Sequence, residues 1–276
     1  MRTSNPTLSS SAFNRLGASQ GGAVASGGYG GGAITGPNPV FTGESAAPPF
    51  ARTDAFTVEG AIYKTGALLA ILAVAALAAG ALLPESAYYP ALIGGVIAGL
   101  VLVVAISVKP NLAPALAPAY ALVEGVVIGV VTVVIESQPG LDGIATQAAI
   151  GTIGVLAVML TLYRTGVIKV TQRFRMVVLA ATGAIFLTYL ASFVLGFFGV
   201  EFGFLHGNSM LSIGISVVII GVAALNLALD FDFIENAARA GLPAKTEWYA
   251  AFGLLVTLVW LYLEILRLLA KLQSRD

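Results

Sequence analysis

Hydrophobic positions in this chain come in long unbroken blocks rather than in stripes. Thr65 to Pro84 carries no charge over 20 residues, Ser86 to Val108 none over 23, Gly143 to Tyr163 none over 21, Met176 to Val200 none over 25, and Gly207 to Leu229 none over 23. Each exceeds the roughly 18 apolar residues that mark a helix able to cross a bilayer. Two further blocks, about Ala115 to Ile135 and Trp248 to Leu269, carry one carboxylate each, Glu124 and Glu264. The pattern predicts an all-α integral membrane protein with seven transmembrane helices and short connections. Those connections leave no room for a soluble domain, so residues 58–276 read as a single membrane domain.

Residues 1–57 are a different material. They are rich in Gly, Ser, Ala and Pro and nearly free of periodicity. Such a segment buries too little apolar surface to offset the entropy of ordering, and reads as a disordered tail. No compact apolar stretch follows Arg2, so it does not read as a signal peptide. The short stretch FTVEGAIYKTG, with Glu59 and Lys64, leads from the tail to the membrane surface.

Composition agrees with the blocks. Hydrophobic residues make up 58%, charged residues 10%, and the mean hydropathy is +0.91, against about 25% charge in soluble domains. The net charge of zero and the lack of a basic cluster give no reason to expect nucleic acid. With no cysteine and one histidine, His206, thiolate chemistry and a multi-histidine metal site are excluded. His206 reads as a residue of an outer loop. No nucleophile–base pair, metal cage or phosphate-binding loop is recognisable, so neither an enzyme nor a cofactor is expected.

Lysine and arginine set the orientation. With the N-terminus inside, the inner side holds Arg2, Arg15, Arg52, Lys64, Lys109, Arg164, Lys169, Arg173, Arg175, Arg239 and Lys245. The outer loops near Glu85, Glu136 to Asp142 and Glu201 to His206 hold none. Arg267, Lys271 and Arg275 follow the last block; seven crossings place them outside, and a re-entrant last helix would place them inside. The basic stretch RTGVIKVTQRFR (164–175) obeys the same rule and is also suited to anionic lipid head groups. Small residues spaced by four, Gly95 with Gly99 and Gly125 with Gly129, read as sites of close helix packing, as does GTIGVLA (151–157).

A carboxylate at bilayer depth needs a partner, a water-filled cavity or a proton. Glu124 lies in PALAPAYALVEGVVIG and reads either as a ligand or proton carrier lining a cavity, or as a structural acid bonded to a neighbouring helix. Asp230 and Asp232, two residues apart, do not share a helix face. Asp230 is nearer the apolar core and is the functional candidate; Asp232 and Glu235 are expected at the border, in contact with water. Glu264 lies sixteen residues past Trp248, a rise of roughly 24 Å. Two readings stand open for it. Either Arg267, three residues on, snorkels and pairs with it, or it is a buried acid that exchanges a proton.

These residues resemble a known family. LALDFDFIENA (227–237) followed by WLYLEILRLLAKL (260–272) is similar to the Bax inhibitor-1, or transmembrane BAX inhibitor motif, family, and more closely to its bacterial YccA-like branch. Asp230 and Ile234 match an Asp-x-x-x-Ile setting at the end of the sixth helix. LYLE (261–264) matches an acidic motif in the last helix, and PAYALVEG (118–125) is like the third-helix signature. The resemblance implies six helices wrapped around a central C-terminal helix, and a pH-sensitive calcium leak. It implies that Asp230 and Glu264 share a proton and bind the transported Ca²⁺. It also implies a basic residue at the end of the second helix, loosely Lys109, bonded to the sixth-helix acid. Asp230 and Glu264 are, however, 34 residues apart, which places them about 14 Å apart in depth by the helical rise.

The expectation is therefore a Ca²⁺ leak channel or exchanger of a bacterial inner membrane, its N-terminus cytoplasmic. Asp230 and Glu264 are its gate, and Glu124, Asp232, Lys109 and Arg267 line or support the path. The rival expectation is an interaction protein that modulates a membrane-bound protease or another partner. Membrane lipid, Ca²⁺ and H⁺ are the expected contacts of the first reading.

Overall fold

The structure, a computed structural model, describes residues 55–196, 198–199, 207 and 209–274. The tail through residue 54, His206 with its neighbours, and Arg275 lie outside the described residues.

Among the described residues, seven helices are long and apolar enough to cross a membrane. They are α1 (Val58–Leu82), α2 (Tyr88–Val108), α3 (Ala113–Glu136), α4 (Ile144–Arg164), α5 (Gln172–Gly196), α6 (Met210–Arg239) and α7 (Thr246–Gln273). Single 3-10 turns, Glu85–Ala87 and Pro110–Leu112, precede α2 and α3. In hydrocarbon every backbone polar group must be satisfied within the chain, which an uninterrupted helix achieves. Buried hydroxyls follow the same rule. Thr65 and Thr152 each donate to the carbonyl four residues back, at 2.9 and 2.8 Å.

Several helix ends differ from the expected spans, among them α5, which starts at Gln172, and α7, which runs to Gln273; two differences shape the bundle. The lead-in at Phe56–Gly66 forms the first turns of α1, capped by Thr57, whose hydroxyl accepts from the Gly60 amide at 2.9 Å. At the α6–α7 connection both helices run past the apolar blocks and leave only residues 240–245 as a turn. Gly241 makes this turn with φ of 60°, a left-handed conformation that a side chain resists.

The last helix is the centre of the bundle. Half of its span is buried, and it is the wall between two apolar cores. Leu254, Leu258, Leu261 and Ile265 face the core built with α4 and α6. Ala251, Phe252, Leu255 and Val259 face the core shared with α1 and α3, to which Ile106 of α2 also belongs. Backbones of α1, α3, α4 and α6 pack directly on α7, whereas α5 packs on α6 and buries one residue, Val178.

Glycines decide the closest approach. A Cβ on Gly125 would lie 2.5 Å from the Leu72 carbonyl oxygen, and one on Gly129 would collide with that of Ala76. Gly95 and Gly99 admit Val127 and Glu124 of α3 in the same way. In GTIGVLA, Gly151 faces Ile265, but Gly154 faces open space, so that stretch packs through one glycine.

Residues 55–57, expected to belong to the tail, are part of this bundle. The Phe56 amide donates to the Leu242 carbonyl at 2.6 Å, and Ala55 bridges Pro243. The Thr57 amide and hydroxyl both donate to buried Glu247, at 2.7 and 3.1 Å. Lys64 pairs with the other oxygen of that carboxylate and lies 5.6 Å from the Trp248 ring. The start of α1 is thereby clamped to the start of α7.

Candidate functional site

Three carboxylates occur deep in the helices, and each sits at a different interface. Glu124 is on α3, facing α2; its Oε2 would be 3.1 Å from a Cβ on Gly99. Asp230 is on α6, facing α7. Its Oδ1 would be 3.6 Å from a Cβ on Gly253, and Thr257 lies beside it. Its Oδ2 is buried and has no hydrogen-bond partner. Glu264, on α7, is 1% exposed.

Both readings left open for Glu264 describe part of its geometry. Arg267 donates to Glu264 Oε1 at 2.8 Å, so the pairing three residues on is real. The acid is nevertheless buried, because the pair is covered by α5. The Tyr189 hydroxyl donates to the same Oε1 at 2.6 Å and accepts from Arg267 at 2.7 Å. The guanidinium lies 5.0 Å from the Tyr189 ring. Glu264 Oε2 is buried without a partner.

Asp230 and Glu264 are not brought together. Asp230 meets α7 at Gly253 and Thr257, which precede Glu264 by two to three turns, so the acids lie about 10–16 Å apart along the helix. The proton-sharing pair implied by the resemblance is not formed. The reason is the length of α6 and α7: their shared turn is at 240–245, which puts the two acids at unequal distances from it. That separation is well beyond the span of one Ca²⁺ with oxygen ligands about 2.3–2.6 Å away. Among the described residues, no group of three or more His, Cys, Asp or Glu is placed to hold a metal.

The remaining expected residues separate clearly. Lys109 caps α2 through its backbone and is exposed; no hydrogen bond or ion pair joins it to Asp230, a second correction to the implied network. Asp232 accepts from Arg175 of α5 at 2.7 Å. Glu235 pairs with Arg239 and accepts from the Tyr163 hydroxyl at 2.6 Å. These border acids thus tie α5 and α4 to α6 rather than standing alone in water.

Tyr189, Glu247 and Tyr163 are not marked by the sequence, and Lys64 is marked there only as a residue of the membrane surface. A lone phenol within an apolar block, as in FLTYLASF, was the available signal for Tyr189.

A groove of about 880 Å³ runs between α5 and α6, walled by Ile185, Leu211, Ile215 and Val218, with Tyr189 in its lining. A second cavity of about 440 Å³ lies between α2, α3 and α7 and reaches Arg267 and Lys271. Beside it Lys271 is buried, its ammonium donating to Ser212 and Ser216 of α6 at 2.7 and 2.9 Å. The arrangement is a charged knot, Tyr189–Glu264–Arg267, that joins α5 to the central helix, with a separate unpartnered carboxylate oxygen at Asp230.

A family model described as Bax inhibitor 1 like matches residues 6–274 of the chain. No curated protein matches it.

Proposed function

The chain belongs to the Bax inhibitor 1 like family of multi-pass membrane proteins, and on that premise we propose that it is a pH-sensitive leak channel or exchanger for Ca²⁺. In this reading it resides in a bacterial inner membrane with its N-terminus cytoplasmic. The observation that carries it is the pair of buried carboxylate oxygens without donors, Asp230 Oδ2 and Glu264 Oε2, on the two helices at the bundle centre. A buried acid oxygen with no hydrogen-bond donor is a place for a proton or a cation to bind.

The two acids have different tasks in this mechanism. Asp230 takes up a proton or the passing cation on the α6 face of the central helix. Glu264 holds α5 in place: protonated, it no longer offers Arg267 an anion, and Tyr189 loses its charged acceptor. Besides the knot, α5 is tied to α6 by the Asn226–Thr182 hydrogen bond of 2.7 Å and the Arg175–Asp232 pair, and it packs Phe174 and Val178 on the bundle. Release of the knot then opens the groove between α5 and α6. Arg267 supports Glu264 and Asp232 anchors α5, while Glu124 and Lys109 stand apart from this route.

Calcium flux into dye-loaded proteoliposomes at several pH values tests the proposal. Glu264→Gln and Asp230→Asn are each expected to change flux and flatten its pH dependence. Wild-type flux and pH response in both variants would sink the mechanism.

A second reading has its own observation. The three membrane carboxylates lie at three separate helix interfaces, which suits an interaction protein, such as a modulator of a membrane protease in the manner of the YccA-like branch. Absence of flux at every pH from folded protein would move the assignment there.

A further inference from the structure

A cavity of about 840 Å³ opens on the side of the bundle between α1 and α4. Its volume is in the range of about 300–1,000 Å³ typical of small-molecule sites. Ile62, Gly66 and Leu69 of α1 form one wall and Leu156 and Leu160 of α4 the other. The floor is Phe231 and Ile234 of α6 with Leu254 and Leu258 of α7, all buried in the core. The long wall is therefore apolar and lies at membrane depth.

The mouth of the cavity is charged. Arg164 and Lys169 line it, together with Asp232 and Glu235. Both acids already have cations: Asp232 holds Arg175 and Glu235 holds Arg239, with the Tyr163 hydroxyl as a further donor. Four cations thus face two carboxylates. Arg164 and Lys169 are exposed; Arg164 acts on Glu235 through space, and among the described residues neither forms an ion pair at contact distance. The α4–α5 connection carries this positive charge over the opening, turning at Gly166 with φ of 73° and pointing Ile168 and Val170 into the cavity lining.

An apolar slot at bilayer depth, topped at one membrane face by more cations than carboxylates, is complementary to one kind of molecule. We propose that this cleft binds an anionic phospholipid, with an acyl chain between α1 and α4 and the phosphate between Arg164 and Lys169. Basic pockets between spanning helices recognise acidic head groups on this principle. Neither Asp230 nor Glu264 lines the site.

Native mass spectrometry of the full chain in detergent, titrated with phosphatidylglycerol or phosphatidylcholine, tests this. Wild type is expected to retain one phosphatidylglycerol with a preference of roughly 30-fold, the effect of two such cations beside an acidic lipid. Arg164→Gln with Lys169→Gln removes the preference and leaves weak retention of both lipids. Gly66→Phe weakens both, because a side chain there meets nothing within 4 Å and so fills the cleft rather than the bundle; Gly66→Leu does so to a smaller extent. Arg173→Gln, on the same basic stretch but outside the cavity lining, changes nothing. Equal retention of the two lipids by wild type would overturn the proposal. So would a loss in Arg173→Gln as large as in the double variant, which would mean diffuse attraction, or full retention in folded Gly66→Phe.

Discussion

Tyr189→Phe isolates the knot that joins α5 to the central helix. Phenylalanine keeps the ring and its 5.0 Å approach to Arg267, so apolar burial hardly changes. What is lost is the hydroxyl that donates to Glu264 at 2.6 Å and accepts from Arg267 at 2.7 Å. Hydrogen bonds to charged groups contribute about 1.5–3 kcal/mol, whereas polar contacts between membrane helices average nearer 0.6 and reach about 1.7 kcal/mol. Both partners here are charged, but Arg267 is partly open to its surroundings, which favours the overlap of the two ranges. The expected cost is about 1.5 kcal/mol, or about tenfold in the unfolding equilibrium. Equilibrium unfolding in mixed micelles measures it, with Glu264→Leu as the second arm of a double-mutant cycle. In the Glu264→Leu background the cost of Tyr189→Phe should fall by about 1 kcal/mol, a coupling typical of residues in one network. An identical cost in both backgrounds would refute the idea that Tyr189 acts through Glu264.

Three other perturbations probe separate parts of the bundle. Gly129→Val forces a side chain onto the Ala76 carbonyl and should destabilise by at least about 1–3 kcal/mol, the usual cost of overpacking; Gly154→Ala, facing open space, should be neutral or slightly stabilising in the same unfolding assay. Lys64→Gln leaves Glu247 buried without its cation; breaking a buried pair costs about 3–5 kcal/mol, and the two bonds from Thr57 hold the result near the lower end, read as a loss in thermal midpoint. Asp230→Asn removes a charge whose Oδ2 has no donor, so thermal stability should be unchanged or higher while flux changes; a loss of several kcal/mol would mark Asp230 as structural.

The chain determines much of this protein locally. In a bilayer the backbone must be satisfied by helices, so uncharged blocks such as Met176–Val200 report spans directly. Charge is equally local: the few ionisable groups within blocks or at their edge, Glu124, Glu264 and Asp230, are legible because water is scarce where they lie. The pairing of Arg267 with Glu264 follows from three-residue spacing on one helix. Helix–helix pairing leaves no such trace. A membrane helix is apolar on every side, so its pattern does not say which face turns inward, and Gly154 reads in sequence like Gly129 although only the latter meets another backbone. Only the tertiary structure set Tyr189 on Glu264, 75 positions away, and clamped Thr57 and Lys64 to Glu247. It alone separated Asp230 from Glu264, because their relative depth depends on where α6 turns into α7. That turn begins eleven residues beyond Leu229, the end of the sixth block, where charge no longer tells helix from loop.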